Sequence, residues 1–151
     1  MSPEQALNRL SRLCSRSEKS VFDIKKKLSD WGVLPQEAET IIKKLQLSGF
    51  VDDRRYAKAF VHDKGTLARW GQQKIRNALK IKQINNDTIK EALAGLDNST
   101  VKENLQHLFS IKKKSMTNLP LAEQKIKLLR FALSRGYSYE EACEAISRGE
   151  R

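Results

Sequence analysis

The side chains that most often do chemistry in proteins are scarce and scattered in this sequence. The two histidines, His62 and His107, are far apart, and neither stands at the spacing of a zinc site or a catalytic triad. Asp52 and Asp53 could be read as a metal-binding pair. Adjacent positions at a helix start point in two directions, however, so helix capping is the better interpretation. The sequence therefore predicts a protein that is not an enzyme and that needs no cofactor and no metal.

The two cysteines indicate a reducing compartment. Cys14 and Cys143 lie far apart within helical patterns, which favours reduced thiols over a disulfide. The N-terminus has no apolar stretch typical of a signal peptide, and no run approaches the ~18 apolar residues of a membrane span. We expect a cytoplasmic protein that has no contact with a membrane.

Positive charge is the dominant compositional feature. Lys and Arg number 29 against 18 Asp and Glu, giving a net charge of +11 over 151 residues. Such an excess attracts polyanions through long-range Coulomb forces and counterion release, so it predicts nucleic acid, or a partner coated with it. The candidate binding residues are Lys25, Lys26, Lys27, Arg54, Arg55, Arg69, Lys74, Arg76, Lys80, Lys82, Lys125, Lys127, Arg130 and Arg135.

Helices must position these cations, because apolar residues recur at helical spacing along almost the whole chain. Nine helices are predicted. Ser2 and Ser138 begin capping boxes at two helix starts, while Gly32 and Gly136 stand where helices end. On the eighth helix the predicted inward residues are Ile126, Leu129 and Leu133.

The helices fall into three groups of three, and the groups share one register. The repeats can be aligned on Val33, Ile84 and Tyr137. In each repeat, apolar residues stand nine and five positions before this reference residue and five and nine positions after it. These positions hold Ile24, Ile75 and Leu128; Leu28, Leu79 and Ala132; Ala38, Ile89 and Ala142; Ile42, Leu93 and Ile146. The sequence thus predicts an all-α fold of three tandem helix-turn-helix-like repeats, 1–50, 51–98 and 99–151, in an elongated, curved array.

The cations concentrate on the second, or middle, helix of each repeat. If the repeats stack with a regular rotation, these cations fall on one continuous surface. The solvated face of an amphipathic helix would explain one such run, but it explains less well why the excess recurs in three copies. The third helices begin instead with acidic or neutral residues, which disfavours sequence-specific reading of bases by a helix-turn-helix.

One segment resembles a known family. Residues 49–61, GFVDDRRYAKAFV, are similar to the central signature of the RecX family, and residues 70–79, WGQQKIRNAL, are similar to its next stretch. The first and third repeats also fit, so the resemblance covers nearly the whole chain. Three residues depart from the pattern: Gln72 replaces a usual proline, Arg69 a common glycine and Gln83 the second repeat's usual break glycine.

The resemblance implies a regulator of the RecA recombinase. Family members are built from three three-helix repeats and are thought to lie in the groove of the RecA filament on single-stranded DNA. There they restrain ATP hydrolysis, strand exchange and coprotease activity in recombination, DNA repair and the SOS response. The partners expected are therefore the RecA filament and single-stranded or double-stranded DNA, contacted mostly through phosphates, by a monomer.

Two other functions remain open at this point. A stand-alone helix-turn-helix protein would bind duplex DNA tightly and with sequence selectivity. A small nuclease would need a divalent metal site, for which the residues give little support.

Overall fold

The computed structural model describes residues 1–150. These form α1 (Pro3–Arg16), α2 (Val21–Asp30), α3 (Pro35–Leu47), α4 (Asp53–Val61), a π-helical segment (His62–Leu67), α5 (Gln72–Ile81), α6 (Asn86–Ala94), α7 (Asn98–Lys114), α8 (Leu121–Ser134) and α9 (Tyr139–Gly149). No strand occurs among these residues, so the all-α prediction is confirmed. Within the same span every helix is too short or too polar to traverse a bilayer.

Serine caps start several of the helices. The Ser2 and Ser138 side chains accept hydrogen bonds from the third helical amide of α1 and α9, and both capping boxes are complete, as predicted. Ser20 caps α2 in the same way, with Asp23 as the returning acid. Helix α2 thus begins at Val21, directly after its cap.

Left-handed residues end each middle helix. Gly32 and Gly136 have φ values of +76° and +94°, and Gln83 takes the equivalent place with φ +57°. Arg69, which stands where the family commonly has glycine, also has φ +57°. This conformation costs a residue with a Cβ about 1 kcal/mol, yet Gln83 and Arg69 both adopt it.

The register positions form the core. All of them are buried except Ala38 and Ile146, which are half-buried. Of the residues predicted to point inward on α8, Leu129 is half-buried, but Ile126 and Leu133 were predicted wrongly. Ile126 and Leu133 are 52% and 45% exposed, and the buried residues are Leu128 and Ala132. This helix carries apolar side chains on more than one face, so its own periodicity fits two faces, and the register shared with the other repeats identifies the buried one.

The described residues cluster into two compact units. The first comprises 1–59 and 79–89, and the second comprises 60–78 and the described residues from 90 onward. Ala6, Leu10, Ile24, Leu28 and Leu45 lie in the core of the first unit. Ile75, Leu105 and Phe109 are fully buried in the second. The unit boundaries cut through α4, α5 and α6, so they do not follow the repeat boundaries, which stay a prediction.

In the second unit, a contact between the second and third repeats explains why residues 60–78 cluster with the third repeat. The Gly71 amide, at the start of α5, donates to the Arg135 carbonyl at 2.7 Å, and the Gln73 amide donates to the Gly136 carbonyl at 3.0 Å. The backbones meet without intervening side chains. A Cβ on Gly71 would lie 2.2 Å from the Gly136 carbonyl carbon, which leaves room only for hydrogen.

The first unit contains the corresponding contact one repeat earlier. Here Asp23, in the first turn of α2, accepts a hydrogen bond from Lys82 Nζ at 2.5 Å. By register, Asp23 matches Lys74, and Lys82 matches Arg135. In both units the start of a middle helix is therefore bound to the corner of the next repeat, meaning the turn that follows its middle helix.

We expect Gly71→Ala to lower the free energy of unfolding by about 2 kcal/mol or more, because its methyl group would overlap backbone that cannot move aside. Gly95→Ala is the matched control, since the nearest atom to its Cβ would be the Ala92 carbonyl oxygen at 3.3 Å. It should cost less than about 1 kcal/mol. Urea denaturation followed by circular dichroism measures both, and equal losses would contradict the contact.

Candidate partner-binding surface

The candidate cations divide evenly between the units and differ in exposure. Lys25, Lys26, Arg54, Arg55, Lys80, Lys127 and Arg130 are exposed. Lys27, Arg69, Lys74, Arg76, Lys82, Lys125 and Arg135 are half-buried. Half-burial of a long basic side chain means that its aliphatic stem covers apolar surface while its charge remains near water.

Basic residues recur at equivalent positions in only two of the three repeats at a time. By register, the residues that coincide are Lys25 with Arg76, Lys26 with Arg130, Lys74 with Lys127, and Lys82 with Arg135. No position of the middle helices is basic in all three repeats. One continuous basic surface along the three repeats stays a prediction.

Some candidate cations have partners within the chain. Arg55 Nε lies 2.7 Å from Glu18 Oε1, and its Nη2 donates to the Gly49 carbonyl at 2.9 Å, which closes the end of α3. Lys125 is ion-paired with Glu150. These groups stabilise local structure, and a partner would have to compete for their charges.

Lys82 is bound most firmly. Burial opposes ionisation of Asp23, but hydrogen bonds from Lys82 and Ser20 outweigh it and lower the pKa of Asp23 below its ordinary value. The hydrogen bond to Asp23 in turn raises the pKa of Lys82, against the effect of burial. The ammonium also lies 5.7 Å from the Phe22 ring centroid. Its main role is to hold α2 against the corner of the second repeat.

Aromatic rings hold other cations in the second unit. Lys74 Nζ lies 4.3 Å and Lys64 Nζ 4.9 Å from the Trp70 ring centroid. The Phe60 ring meets Trp70 edge-on, with centroids 6.2 Å apart. Neither ammonium forms an ion pair with a carboxylate in residues 1–150.

A second ring carries two more cations. The Arg135 guanidinium carbon lies 5.0 Å from the Phe131 centroid, and Lys112 Nζ lies 5.5 Å from it. The two groups of residues are joined by the hydrogen bond from Gly71, next to Trp70, to the Arg135 carbonyl. We call them together the aromatic–cation cluster: Phe60, Lys64, Trp70, Lys74, Lys112, Phe131 and Arg135.

Tyr137 fixes the backbone beside this cluster. Its hydroxyl donates to the Arg69 carbonyl at 2.8 Å. Burial, with a smaller contribution from Glu141, raises the pKa of Tyr137 to about 12, although Arg69 and Arg135 oppose the shift. The hydroxyl therefore remains a donor at any physiological pH and holds Arg69 in its left-handed conformation.

The sequence-based list contained Lys74 and Arg135 from this cluster but missed its other members. A signal was present, because three of the contacts join an aromatic residue to a cation four positions later: Phe60 to Lys64, Trp70 to Lys74 and Phe131 to Arg135. The list also missed the exposed Arg9, Arg12 and Arg16 of α1. The Arg9 guanidinium carbon lies 4.8 Å from the Trp31 ring centroid.

No group of three His, Cys, Asp or Glu side chains is placed to hold a metal ion in the described part of the chain. Open grooves lie between α1 and α3 and between α7 and α9. The second is crossed by the ion pair of Lys102 with Glu144 at 3.5 Å, and Arg148 pairs with the same Glu144 along α9 at 2.9 Å.

Comparison with known proteins places the chain in a family. A family model described as RecX, second three-helix domain, matches residues 52–93. The regulatory protein RecX of Clostridium botulinum strain Alaska E43 is 37% identical over 127 residues, which cover 83% of this chain and 58% of the relative. The chain belongs to the RecX family. It thus spans somewhat less than two thirds of that relative's length.

Other RecX proteins extend the similarity. RecX of Vibrio vulnificus is 28% identical over 142 residues, covering 90% of this chain and 87% of the relative. The crystal structure of RecX from Lactobacillus salivarius shares the fold, with a TM-score of 0.88 at 18% identity over 97% of this chain and 95% of that one. A second RecX crystal structure gives the same TM-score at 25% identity, over 97% and 73% of the two chains.

We expect Lys82→Met to lower the free energy of unfolding by about 1 kcal/mol at neutral pH, since it leaves Asp23 without its cation. Because the pKa of Asp23 is lowered, this stabilisation is complete above the ordinary aspartate pKa and is lost as the pH falls through the lowered value. The raised pKa of Lys82 preserves the pair up to the ordinary lysine pKa, and the pair is lost as the pH rises through the raised value.

Lys80→Met removes a neighbouring exposed ammonium and serves as the control. Its unfolding free energy should change by less than about 0.5 kcal/mol. Urea titrations of both variants over a pH series provide the comparison. A loss for Lys82→Met that persists once Asp23 is protonated would show that the ion pair is not its cause.

Proposed function

We propose that this chain is a non-catalytic regulator that binds the RecA filament on single-stranded DNA in the bacterial cytoplasm. It inhibits the ATPase, strand-exchange and coprotease activities of the filament, and so acts in recombination, DNA repair and the SOS response. Membership of the RecX family carries this proposal, since the relatives are regulatory proteins.

The charge distribution supports binding to a long anionic assembly. The chain carries a net charge of +11, and each unit contributes exposed candidate cations, such as Lys25 and Lys26 in the first and Lys127 and Arg130 in the second. Exposed ammonium and guanidinium groups bind phosphates by releasing condensed counterions. Several weak contacts on one chain add up to tight binding when they engage one filament together.

The third helices support a role other than sequence-specific DNA reading. Their first turns carry Glu37 in α3, Asp87 in α6, and Glu140 and Glu141 in α9. Carboxylates at these places would repel the phosphates that flank a major groove. A stand-alone helix-turn-helix function therefore has less support than filament binding.

The direct test is the DNA-dependent ATPase of RecA in the presence of the chain. We expect suppression at substoichiometric amounts, because one regulator bound in a filament affects many protomers. Co-sedimentation with filaments, with and without DNA, measures binding in parallel. An ATPase rate that is unchanged at saturating protein would refute the proposal, and tight sequence-selective duplex binding at moderate salt would favour the stand-alone alternative.

A charge-reversal variant tests whether α5 takes part. We expect Lys74→Glu, Arg76→Glu and Lys80→Glu together to weaken filament binding by about tenfold or more, because three contacts become repulsive. The control reverses three exposed lysines of the third helices, Lys43, Lys44 and Lys90, to glutamate. Both variants lose the same charge, so equal weakening in co-sedimentation would mean that only net charge matters.

A further inference from the structure

We propose that the aromatic–cation cluster of the second unit is a direct contact site for single-stranded nucleic acid. The site binds phosphates through Lys64, Lys74, Lys112 and Arg135, and it binds unstacked bases against Trp70 and Phe131. The inference deepens the proposed function and rests on it for its biological setting. It adds that the chain contacts the nucleic acid itself, at a named place, without the recombinase as an intermediary.

The electrostatics of the Trp70 side of the cluster favour an anionic ligand. Lys64 and Lys74 hold their ammonium groups 4.9 and 4.3 Å from the same ring centroid. The two charges therefore lie within about one Debye length (~10 Å) of each other, and salt screens their repulsion only in part. The ring quadrupole attracts each of them. A phosphate that contacts both relieves their mutual repulsion.

The aromatic rings supply the second part of the chemistry. Trp70 and Phe131 are half-buried, so part of each side chain remains accessible. A base stacked on an aromatic side chain contributes about 1–3 kcal/mol without regard to sequence. A duplex binds a basic patch through its phosphates alone, because its bases are stacked inside. A site in which aromatic rings lie between cations is typical of single-strand binding, since the rings can stack with exposed bases.

The backbone holds the two halves of the cluster in a fixed arrangement. The Gly71 amide donates to the Arg135 carbonyl at 2.7 Å. The residue that follows Trp70 is therefore bound to the residue whose guanidinium lies over Phe131. The Tyr137 hydroxyl holds the Arg69 carbonyl at 2.8 Å on the other side of Trp70. A preformed site loses less entropy when a flexible single strand binds.

The test measures binding of the full chain to a fluorescein-labelled oligothymidylate of about 20 nucleotides by fluorescence anisotropy. The variant is Lys64→Gln with Lys74→Gln, and the control is Lys43→Gln with Lys44→Gln, two exposed lysines of α3. We expect the cluster variant to lose at least about tenfold in affinity, and its log–log salt slope to fall by about 1.4. The control should lose less than about threefold. Equal losses in the two variants would overturn the site.

A second measurement does not depend on removing charge. Trp31→Phe leaves Trp70 as the single indole, and its fluorescence should be quenched by the oligothymidylate. Inorganic phosphate and polyglutamate, tested at equal charge concentration, should quench it far less. Quenching by either anion as strong as that by the oligonucleotide would overturn the proposal, the first in favour of a free-phosphate site and the second in favour of an acidic protein surface.

The ATPase assay separates this inference from the proposed function. If the wild-type chain inhibits RecA while the cluster variant keeps full affinity for the oligonucleotide, the site is refuted and the function stands. If the wild-type chain binds the oligonucleotide through the cluster and leaves the ATPase unchanged, the function is refuted and the site stands. Thermal unfolding of each variant, monitored by circular dichroism, confirms that it is folded.

Discussion

The contact between the start of one middle helix and the corner of the next repeat determines where the functional side chains lie. In the second unit it is made by backbone alone, with Gly71 and Gly136 too close for any side chain. Trp70 and Lys74 lie on one side of this contact, and Phe131 and Arg135 on the other. In the first unit the equivalent contact uses the side chains of Asp23 and Lys82. The close backbone approach requires glycine at positions 71 and 136, whereas an ion pair can be replaced by other side chains.

This difference gives the basic residues two kinds of role. Lys82, Arg55 and Lys125 have carboxylate partners in the chain and hold helices in place. Lys64, Lys74, Lys112 and Arg135 lie against aromatic rings, which retain a cation without neutralising it. An anionic partner can therefore bind the second group without breaking an ion pair within the described residues. Net charge describes the attraction of the whole chain, but the distribution of partners decides where an anion can bind.

Two of the three departures from the family pattern, Gln83 and Arg69, share one conformational feature. Gln83 and Arg69 replace glycines but keep the positive φ that the turns require, with a value of +57° in each case. The Gln83 amide donates to the Lys80 carbonyl within the same turn at 2.9 Å, and the Arg69 carbonyl accepts from the distant Tyr137 hydroxyl. A local hydrogen bond at Gln83 and a tertiary one at Arg69 thus stabilise the two turns, and the register of the repeat is unaffected.

The sequence by itself determined the features that depend on local rules. Helical periodicity gave the all-α class, serine caps gave the starts of α1 and α9, and the register gave the buried positions, because each of these follows from residues within one or two turns. The tertiary structure decided the rest. It paired Lys82 with Asp23 across 59 positions. It also placed Trp70 and Phe131 near the same backbone contact, between Gly71 and Arg135. Such outcomes depend on how distant segments pack together, which no local pattern encodes.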